Sequence, residues 1–348
     1  MLLLNIVVLA GGLSPERDVS LSSGSMIANA LIDSGHKVLL LDLYLGMESV
    51  DKPYESLFYD KDSGKRYEYS VKRSEPDLDL LKQTRGDIKS LIGNHIIEIC
   101  SFADKVFLAL HGSIGENGQL QALFDIYGIS YTGTGYAGSL LAMDKNLSKI
   151  LMRSNQIPTP EWRIINLTKQ EVEIDEYMLP CVVKPLSLGS SVGVSIVRSR
   201  EELNKALDYA KRYENRIMFE EVIEGREFSV GIIDNNALPI IEIIPKAGFY
   251  DYTNKYQAGL TEEICPARLS KELTIAMQEM AIKVHKVLQL GFYSRIDFML
   301  KEDGSFYCLE ANTLPGKTPT SLLPQEAKAV GIDYQTLCKI IIEGNKLV

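Results

Sequence analysis

The run LNIVVLA, at residues 4–10, constrains the fold of this chain most strongly, because it is almost entirely apolar and stops at Gly11-Gly12. Continuous apolar runs of this kind are typical of strands buried on both faces of a parallel sheet. Two more such strands follow: HKVLLLDLY, predicted to end near Asp42, and KVFLAL, predicted to end at His111. The pattern predicts an open α/β unit whose ligands bind beyond the carboxyl ends of its strands.

Helices are predicted between these strands. One begins with Ser14 as its N-cap and Pro15 at its first helical position, and another spans residues 88–100. Residues 46–92 are polar and irregular, and are predicted to form an insertion. The first residues lack the basic region of a signal peptide, and no stretch is long enough to span a membrane.

The pattern changes after about residue 160 to short strands with few helices between them, which is typical of antiparallel sheet and an α+β region. The tail after Leu323 is predicted to be helical. The short strands are predicted at PCVVKP, GVSIVRS, RIMFEEV, EFSVGII and ALPIIEIIP.

The composition disfavours several classes of protein. The net charge is −9, which argues against nucleic-acid binding because a phosphate backbone attracts basic surfaces. The cysteines lie far apart and form no CxxC pair, so we expect reduced thiols in a cytoplasmic protein, with neither disulfides nor a zinc site. They are Cys100, Cys181, Cys265, Cys308 and Cys338.

The segment RIDFMLKEDGSFYCLEAN carries the most specific chemistry. The Asp-Gly dipeptide at 303–304, between two apolar runs, predicts a β-hairpin with a two-residue turn. With that turn, Asp297 lies opposite Glu310 and Arg295 opposite Asn312, and all four side chains share one face. Facing carboxylates repel each other, whereas Asp, Glu and Asn oxygens together with substrate phosphates suit Mg²⁺. The alternative interpretation is a solvated strand face.

A loop of small residues offers a phosphate site. CVVKPLSLGSSVGVSIV contains a strand, a loop at 189–193 and another strand. Lys184 can hold a phosphate as a point charge, and the backbone N–H groups of the loop can approach phosphate oxygens closely. Lys145, in AMDKNLSK, is a second candidate cation. An ordinary Gly/Ser hairpin is the alternative for the loop.

The segment ANTLPGKT, which includes Lys317, fits a relaxed P-loop pattern. A P-loop needs glycine where Ala311 stands and a helix that starts at the lysine, yet Pro319 follows almost at once. We therefore reject this match.

The loops after the first and third strands offer polar side chains. Glu16 lies in the predicted first helical turn, where a carboxylate ordinarily complements the helix dipole, and LHGSIGENGQLQ offers His111 and Glu116. The first loop lacks the glycine spacing of a dinucleotide site. Asp42, an acidic residue after the second strand, keeps a nicotinamide-dependent dehydrogenase as an alternative.

These segments occur in one order: AGGLSPERDVSLSSG, LHGSIGENGQLQ, AMDK, VVKPLSLGSSVGV, EEVIEGREFSV, YDYTNKY, RIDFML and LEANTLPGKTPTSLLP. In that order they resemble the D-alanine–D-alanine ligases of the ATP-grasp superfamily, over nearly the whole chain outside about residues 46–92. The resemblance implies an ATP-grasp fold with an N-terminal open parallel-sheet domain. The implied domains are residues 1–112 for the first substrate, 113–216 with the Gly/Ser loop, and 217–348 with the metal site and a lid.

The resemblance also implies roles for individual residues. The implied magnesium ligands are Asp297, Glu310 and Asn312. The residues implied to bind ATP are Lys145, Lys184, Ser191, Glu220, Glu221, Val222, Glu227 and Lys255. Those implied in catalysis are Glu16, Ser190, Tyr256, Arg295 and the Gly316 backbone. Those implied to bind the amino acids are Glu16, His111, Lys255, Arg295, Gly316, Ser321 and Leu322.

The implied activity is the ATP-dependent joining of two D-alanine molecules through an acyl phosphate, for peptidoglycan precursor synthesis. The implied cofactors are ATP and two Mg²⁺ ions, with Mn²⁺ as a substitute, in a cytoplasmic homodimer that binds neither nucleic acid nor membrane. The alternatives are a D-Ala–D-Ser or D-Ala–D-Lac ligase and a non-catalytic ATP-grasp protein. Two positions depart from the family: Ala311 replaces a larger aliphatic residue, and Lys317 stands where Met or Phe is expected, so that a cation near the second substrate could alter specificity.

Overall fold

The computed structural model describes residues 3–50, 53–71, 76–86, 89–168, 179–189, 192–246 and 259–344. Within these ranges the chain forms a three-stranded parallel sheet and two antiparallel sheets, of four and six strands. The predicted combination of an α/β region followed by an α+β region is confirmed.

The N-terminal sheet is parallel, as its continuous apolar runs predicted. Its strands lie in the order β2-β1-β3, and all four residues of β3 are buried. The last strand ends before His111, although the Ala109 N–H still donates to the Leu9 carbonyl. The elements are β1 (Asn5–Ala10), α1 (Arg17–Asp33), β2 (Lys37–Asp42), α2 (Leu78–Gln83), α3 (Ile96–Phe102) and β3 (Lys105–Leu108).

Two helix starts differ from their predictions. Helix α1 begins at Arg17 with Glu16 as its N-cap, because the Ser14 hydroxyl accepts the Glu16 N–H at 3.1 Å and closes a separate turn before the helix. The helix predicted over 88–100 begins only at Ile96, because the backbone at Gly93 and Asn94 hydrogen-bonds to the loop after β2.

The insertion at residues 46–92 packs onto the N-terminal unit in the parts that the structure describes. It contains α2 and two 3₁₀ helices, at Tyr54–Leu57 and Lys61–Ser63. Tyr59 forms a backbone bridge with Val38 of β2, and the Tyr69 hydroxyl donates to Asp18 of α1 at 2.7 Å. The insertion therefore covers one side of α1.

The described part of the central region has four helices and the four-stranded sheet, whose order is β4-β7-β5-β6. Helix α7 packs on this sheet and supplies Leu203, Ala206 and Ala210 to its core. The elements are α4 (Gln119–Tyr127), α5 (Tyr136–Met143), α6 (Lys145–Ser154), β4 (Trp162–Asn166), β5 (Cys181–Pro185), β6 (Ser195–Val197), α7 (Arg200–Lys211) and β7 (Arg216–Glu221).

The C-terminal sheet has the order β11-β10-β8-β12-β13, with β9 paired to β8. Helix α8 packs against it through Met277, Ala281 and Val284. The elements are β8 (Arg226–Ile233), β9 (Asn236–Ala237), β10 (Ile241–Pro245), β11 (Thr261–Ile264), α8 (Lys271–Val287), β12 (Tyr293–Leu300) and β13 (Phe306–Asn312).

The turn of the β12–β13 hairpin differs from the prediction. Lys301 pairs with Ser305, and Gly304 has a φ of +86°, so the loop has three residues rather than two. This is the common three-residue hairpin, in which the last loop residue is left-handed. The register then shifts by one at Leu309, which is the extra residue of a β-bulge.

The predicted pairs across the hairpin are nevertheless correct. Asp297 lies opposite Glu310, and Arg295 lies opposite Asn312. The longer loop moves the pairing by one residue and the bulge moves it back, so that the four side chains share one face.

The C-terminal helices α9 (Leu322–Ala329) and α10 (Tyr334–Gly344) confirm the predicted helical tail. Their residues Leu323, Leu337 and Ile341 are buried in the same core as β1 and α1. The end of the chain therefore closes the N-terminal core, and the domain borders after residues 112 and 216 stay a prediction. None of the helices in the described ranges has the length and apolarity needed to cross a membrane.

Candidate active site

Side chains from both ends of the chain surround one cavity of about 300 Å³. Its walls come from the loop before α1, the loop after β3, the β12–β13 hairpin and the loop that leads into α9. Every described residue that was predicted to bind the amino acids lines this cavity. These residues are Glu16, His111, Arg295, Gly316, Ser321 and Leu322.

The N-terminal wall of the cavity is acidic. Glu16 and Glu116 both line it. Burial, together with the charge of Glu16, raises the pKa of Glu116 to about 7. Burial, together with the charges of Lys317 and Arg295, lowers the pKa of His111 to about 3, so the imidazole is neutral near physiological pH. This wall suits a ligand that carries an ammonium group.

On the hairpin, Asp297 is buried and accepts four hydrogen bonds. The Arg295 guanidinium donates two of them, at 2.9 and 2.8 Å. The Ser229 hydroxyl donates at 2.8 Å and the Asn312 amide at 2.9 Å. These contacts fix the orientation of both the carboxylate and the guanidinium beside the cavity.

Glu310, opposite Asp297, faces a different cation. Its Oε2 lies 3.7 Å from Nζ of Lys145, which is the first residue of α6 because the preceding Asp144 side chain caps the helix. The Lys145 ammonium also donates to the Leu188 carbonyl at 2.6 Å. Lys145 thus joins the end of the Gly/Ser loop to the carboxylate face of the hairpin.

The donor set on this face fits a divalent cation that prefers oxygen ligands. Two carboxylates and one amide lie on one face of a two-stranded hairpin, and Mg²⁺ commonly takes few protein ligands together with substrate phosphates. In the ranges described, no three His, Cys, Asp or Glu side chains are placed to hold an ion by themselves.

Lys184 belongs to a buried charge cluster. Its Nζ lies 2.6 Å from Oε2 of Glu220, and Nζ of Lys149 lies 2.6 Å from Oε1 of the same carboxylate. Burial opposes the charge of Glu220, but the two lysines outweigh it and hold the pKa of Glu220 below its ordinary value. The carboxylate thereby fixes the Lys184 ammonium at the end of β5.

The remaining residues predicted to bind ATP follow Glu220 in the chain. Glu221 ends β7, where its backbone N–H donates to the Glu161 carbonyl at 2.8 Å. Val222 lines a second, open cavity of about 600 Å³ beside the hairpin loop. Glu227 is half-buried in β8, opposite Met299 of β12. Their roles in binding ATP stay predictions.

Four predicted residues lie outside the described residues: Ser190, Ser191, Lys255 and Tyr256. Gly189, the described residue just before Ser190, lines the cavity. A Cβ atom built at Gly189 would lie 3.6 Å from Oε2 of Glu16. The loop thus approaches the acidic wall.

The loop before α9 forms the wall opposite Glu16. The Ser321 hydroxyl accepts the Thr318 N–H at 3.1 Å, and Ser321 is the N-cap of α9. Because no helix begins at Lys317, the rejection of the P-loop match is confirmed. Lys317 is buried, and it does not belong to the residues that line the cavity. The effect of this cation on the choice of second substrate stays a prediction.

Three residues of this region were not assigned from the sequence: Lys149, Ser229 and Glu116. Lys149 lies one helical turn after Lys145, and this spacing could have indicated it. Glu116 was noticed as a loop carboxylate but received no role. Ser229 contacts Asp297 only because β8 pairs with β12, and no local pattern predicts that pairing.

The chain has an open parallel-sheet unit followed by two antiparallel sheets. Lysines of α6 and β5 lie on one side of the site, and the facing carboxylates of β12 and β13 lie on the other. This arrangement defines an ATP-grasp enzyme. The comparisons with known proteins agree with that class. Residues 5–134 match the family described as D-ala D-ala ligase N-terminus, and residues 151–343 match D-ala D-ala ligase C-terminus. The chain belongs to the D-alanine–D-alanine ligase family.

Relatives match along nearly their whole length. A D-alanine–D-alanine ligase of Pediococcus pentosaceus is 42% identical over 346 residues, covering 99% of this chain and 98% of the relative. One of Aquifex aeolicus is 39% identical over 342 residues, covering 97% and 100%. A crystal structure of the Bacillus anthracis D-alanine–D-alanine ligase in complex with ATP is 29% identical, with a TM-score of 0.72 over 98% of this chain and 96% of that one.

Proposed function

We propose that this chain joins two D-alanine molecules into D-alanyl-D-alanine with ATP, releasing ADP and phosphate, for peptidoglycan precursor synthesis. One observation carries the proposal: an acidic wall, an arginine and a serine-bearing loop converge on one cavity beside buried lysines and facing carboxylates. These groups match the ammonium, carboxylate, oxyanion and phosphate groups that the reaction must bind.

In the first step, D-alanine binds with its ammonium group towards Glu16. Its carboxylate oxygen attacks the γ-phosphorus of ATP, the bond to the β,γ-bridging oxygen breaks, and an acyl phosphate and ADP result. Lys145 and Lys184 hold the phosphates and neutralise their charge. Phosphoryl transfer depends mainly on such positioning and electrostatics. Lys184 is held in place for this task by Glu220.

We propose that Asp297, Glu310 and Asn312 hold a pair of Mg²⁺ ions, for which Mn²⁺ can substitute. When bound, the metal would neutralise phosphate charge and orient the γ-phosphate. The chain's own share is to keep the three oxygen donors on one face of the hairpin, which the pairing of β12 with β13 does.

In the second step, the amine of a second D-alanine attacks the activated carbonyl carbon. Ser321, together with Lys255, would hold the carboxylate of this molecule. The Arg295 guanidinium, fixed by Asp297, and the Gly316 N–H would stabilise the tetrahedral oxyanion. Phosphate then leaves with the oxygen that came from the first carboxylate.

A lid is part of the proposal, because acyl phosphates hydrolyse readily in water. Ser190 and Tyr256 would close the site by hydrogen bonding with Glu16. Both residues lie outside the described part of the chain, so their role rests on the family resemblance and on the approach of Gly189 to Glu16.

The closest rival is a ligase that makes D-Ala–D-Lac. In the family, such ligases carry a histidine in the lid where dipeptide ligases carry the tyrosine that Tyr256 matches. A protonated histidine would favour anionic lactate over zwitterionic D-alanine, whereas a neutral tyrosine does not. Lys317 lies behind the pocket wall rather than in its lining, and the competition experiment below tests whether its charge alters this choice. D-alanine is therefore the proposed second substrate ahead of D-lactate, and the measurement below separates it from D-serine.

We propose that the enzyme acts in the cytoplasm as a homodimer. The described cysteines are unpaired thiols, which suits a reducing compartment. Helices α4, α5 and α6 expose large apolar side chains that a second copy of the chain would cover. The most exposed are Ile126 at 81%, Tyr127 at 57%, Tyr136 at 56% and Leu140 at 50%.

The proposal is tested by measuring ADP release from Mg-ATP with D-alanine, L-alanine, D-serine and D-lactate. We expect D-alanine alone to support full turnover. Equal D-alanine and D-lactate should then be offered together near neutral pH, with the products separated by mass. A predominance of depsipeptide would contradict the proposal, and so would ADP release that does not depend on D-alanine.

A further inference from the structure

Lys317 is a buried cation that the reaction described above does not use. Its side chain is only 2% exposed. Its Nζ donates to the carbonyl oxygen of Pro315 at 3.1 Å and lies 4.7 Å from the centroid of the Tyr293 ring. Burying an ammonium group is costly unless it is bonded, so its place in the fold calls for a physical explanation.

The Pro315 carbonyl and the Gly316 N–H belong to the same peptide group. A donor on the carbonyl oxygen polarises the amide and makes its N–H a stronger donor on the other side. The effect is larger when the donor is charged, and larger still in a buried, weakly polarisable setting. Gly316 lines the substrate cavity, whereas the Lys317 ammonium lies behind this wall.

We propose that Lys317 is a positioning residue that orients and polarises the Pro315–Gly316 peptide, so that the Gly316 N–H becomes a stronger donor to the oxyanion. This inference rests on the proposed ligase function. The loop is also held from behind, because the Tyr334 hydroxyl of α10 donates to the Lys317 carbonyl at 2.7 Å. The C-terminal helix thus supports the same wall of the active site.

The charge on Lys317 depends on pH in the working range. Burial lowers the pKa of Lys317 to about 7, while Glu116 and Cys338 oppose that shift. The polarisation should therefore be strongest below about pH 7 and should weaken above it, as the ammonium loses its proton. The titratable groups around Lys317 are Glu116 and His111 from the loop after β3, Tyr293 from β12, and Tyr334 and Cys338 from α10.

The test compares wild type with Lys317→Met, which has a similar shape but no charge and no N–H donor. A phosphinate analogue of the dipeptide, bound with ATP, places a tetrahedral anion where the oxyanion forms. We expect the affinity for this analogue and kcat to fall about 3- to 10-fold, a fraction of the loss seen when a whole oxyanion donor is removed. The KM for ATP should stay the same. Lys317→Gln keeps a neutral donor, so its phosphinate affinity and kcat should lie between those of wild type and Lys317→Met.

Lys105→Met is the matched control, because Lys105 is also buried and donates to a backbone carbonyl, that of Ile342, at 2.9 Å. Its loss should change thermal stability only. The weakening of phosphinate affinity from pH 6 to 8 should become smaller in Lys317→Met, where Glu116 still titrates, and should persist in full in Lys105→Met.

The possible outcomes separate this inference from the proposed function. A wild-type enzyme that releases no ADP with D-alanine contradicts the function itself. An active wild type with unchanged kcat, phosphinate affinity and pH profile in Lys317→Met overturns the role of Lys317 alone. If Lys317→Met does not fold, the same comparison of kcat, phosphinate affinity and pH profile is made between wild type and Lys317→Gln.

Discussion

At the scale of single residues, charge placement governs the site. Asp297 is held by Arg295, Ser229 and Asn312, whereas Glu310 has the more distant Lys145 at 3.7 Å. Asp297 is therefore a fixed part of the protein framework. Glu310 lies opposite it on the same face of the hairpin, where a bound metal would contact both carboxylates.

Replacing Glu310 by glutamine should abolish most metal-dependent turnover without unfolding the chain. Amide and carboxylate have nearly the same shape, and the lost repulsion with Asp297 offsets the lost attraction to Lys145, so the free energy of unfolding should change little. ADP production at saturating Mg²⁺ should drop by well over tenfold. A tenfold drop alone corresponds to an increase of about 1.4 kcal/mol in the activation free energy. Glu302→Gln, an exposed change in the loop of the same hairpin, should have no effect. A Glu310 variant within tenfold of wild type would contradict the metal site.

Glu326 of α9 should make the stability of the protein depend on pH. It is fully buried, and its Oε1 accepts the Gly231 N–H at 2.9 Å. Burial raises the pKa of Glu326 from 4.5 to about 8. An acid with a raised pKa keeps its proton in the folded state, so its contribution is complete below about pH 4.5 and is lost as the pH rises through 8.

Glu326→Gln should therefore be less sensitive to pH than wild type in urea unfolding between pH 5 and 9. A shift of this size corresponds to a difference on the order of a few kcal/mol at the alkaline end. Glu279→Gln, on the exposed face of α8, serves as the control. Parallel stability curves for wild type and Glu326→Gln would show that Glu326 does not titrate in this range.

At the scale of elements, the hairpin depends on two irregularities that compensate each other. The three-residue loop shifts the pairing by one residue, and the bulge at Leu309 restores it at Glu310. The bulge has its own support, because the Cys308 N–H donates to the Pro158 carbonyl at 2.8 Å, outside the hairpin.

Deleting Leu309 should leave the register intact, because Glu310 then follows Cys308 directly and still lies opposite Asp297. Deleting Ala311 should instead turn Asn312 to the other face of the strand. Turnover should fall below detection in the Ala311 deletion, whereas the Leu309 deletion, like a glycine inserted after Gly304 in the exposed loop, should stay within about tenfold of wild type, a small change in barrier. Equal loss of turnover in both deletions would show that alternation along β13 does not place the ligands on one face.

The sequence predicted strands better than boundaries. Apolar periodicity located the buried strands and the helical tail, because burial acts on every residue of such a run. The start of α1 was misplaced because the Ser14 hydroxyl closes a turn of its own before the helix. No local sequence pattern predicted the bulge. It is stabilised by the contact of Cys308 with Pro158, a residue far away in the sequence.

The site itself was predicted where its residues sit at strand ends or in loops. Residues whose role depends on packing between distant elements were missed or left without a position. Lys149 meets Glu220 across two elements, and Lys317 packs over Tyr293 behind the cavity wall. Such orientations depend on the whole core, which the local sequence does not specify.

At the scale of the whole molecule, the two ends of the chain meet. Helix α10 packs on α1, and the loop before α9 completes a cavity that begins at Glu16. The active site therefore needs the N-terminal core and the C-terminal helices together, and truncation of α10 would disturb both.

The proposed homodimer should depend on the apolar face of α4, α5 and α6. Leu140→Glu places a charge in the middle of this face, and it should convert a dimer into a monomer in sedimentation measurements without loss of fold. Lys205→Glu, on exposed α7, is the control. A wild-type monomer at micromolar concentration would contradict the dimer but not the proposed reaction.

The most direct measurement follows both substrates and oxygen atoms at once. Wild-type enzyme is given Mg-ATP and D-alanine whose carboxylate carries the heavy isotope of oxygen, and the masses of the dipeptide and of the released phosphate are read together. If the carboxylate attacks the γ-phosphate and the second amine displaces that phosphate, D-alanyl-D-alanine forms and each phosphate carries one heavy oxygen. Phosphate without the label, or ADP release without the dipeptide, would contradict ligation through an acyl phosphate.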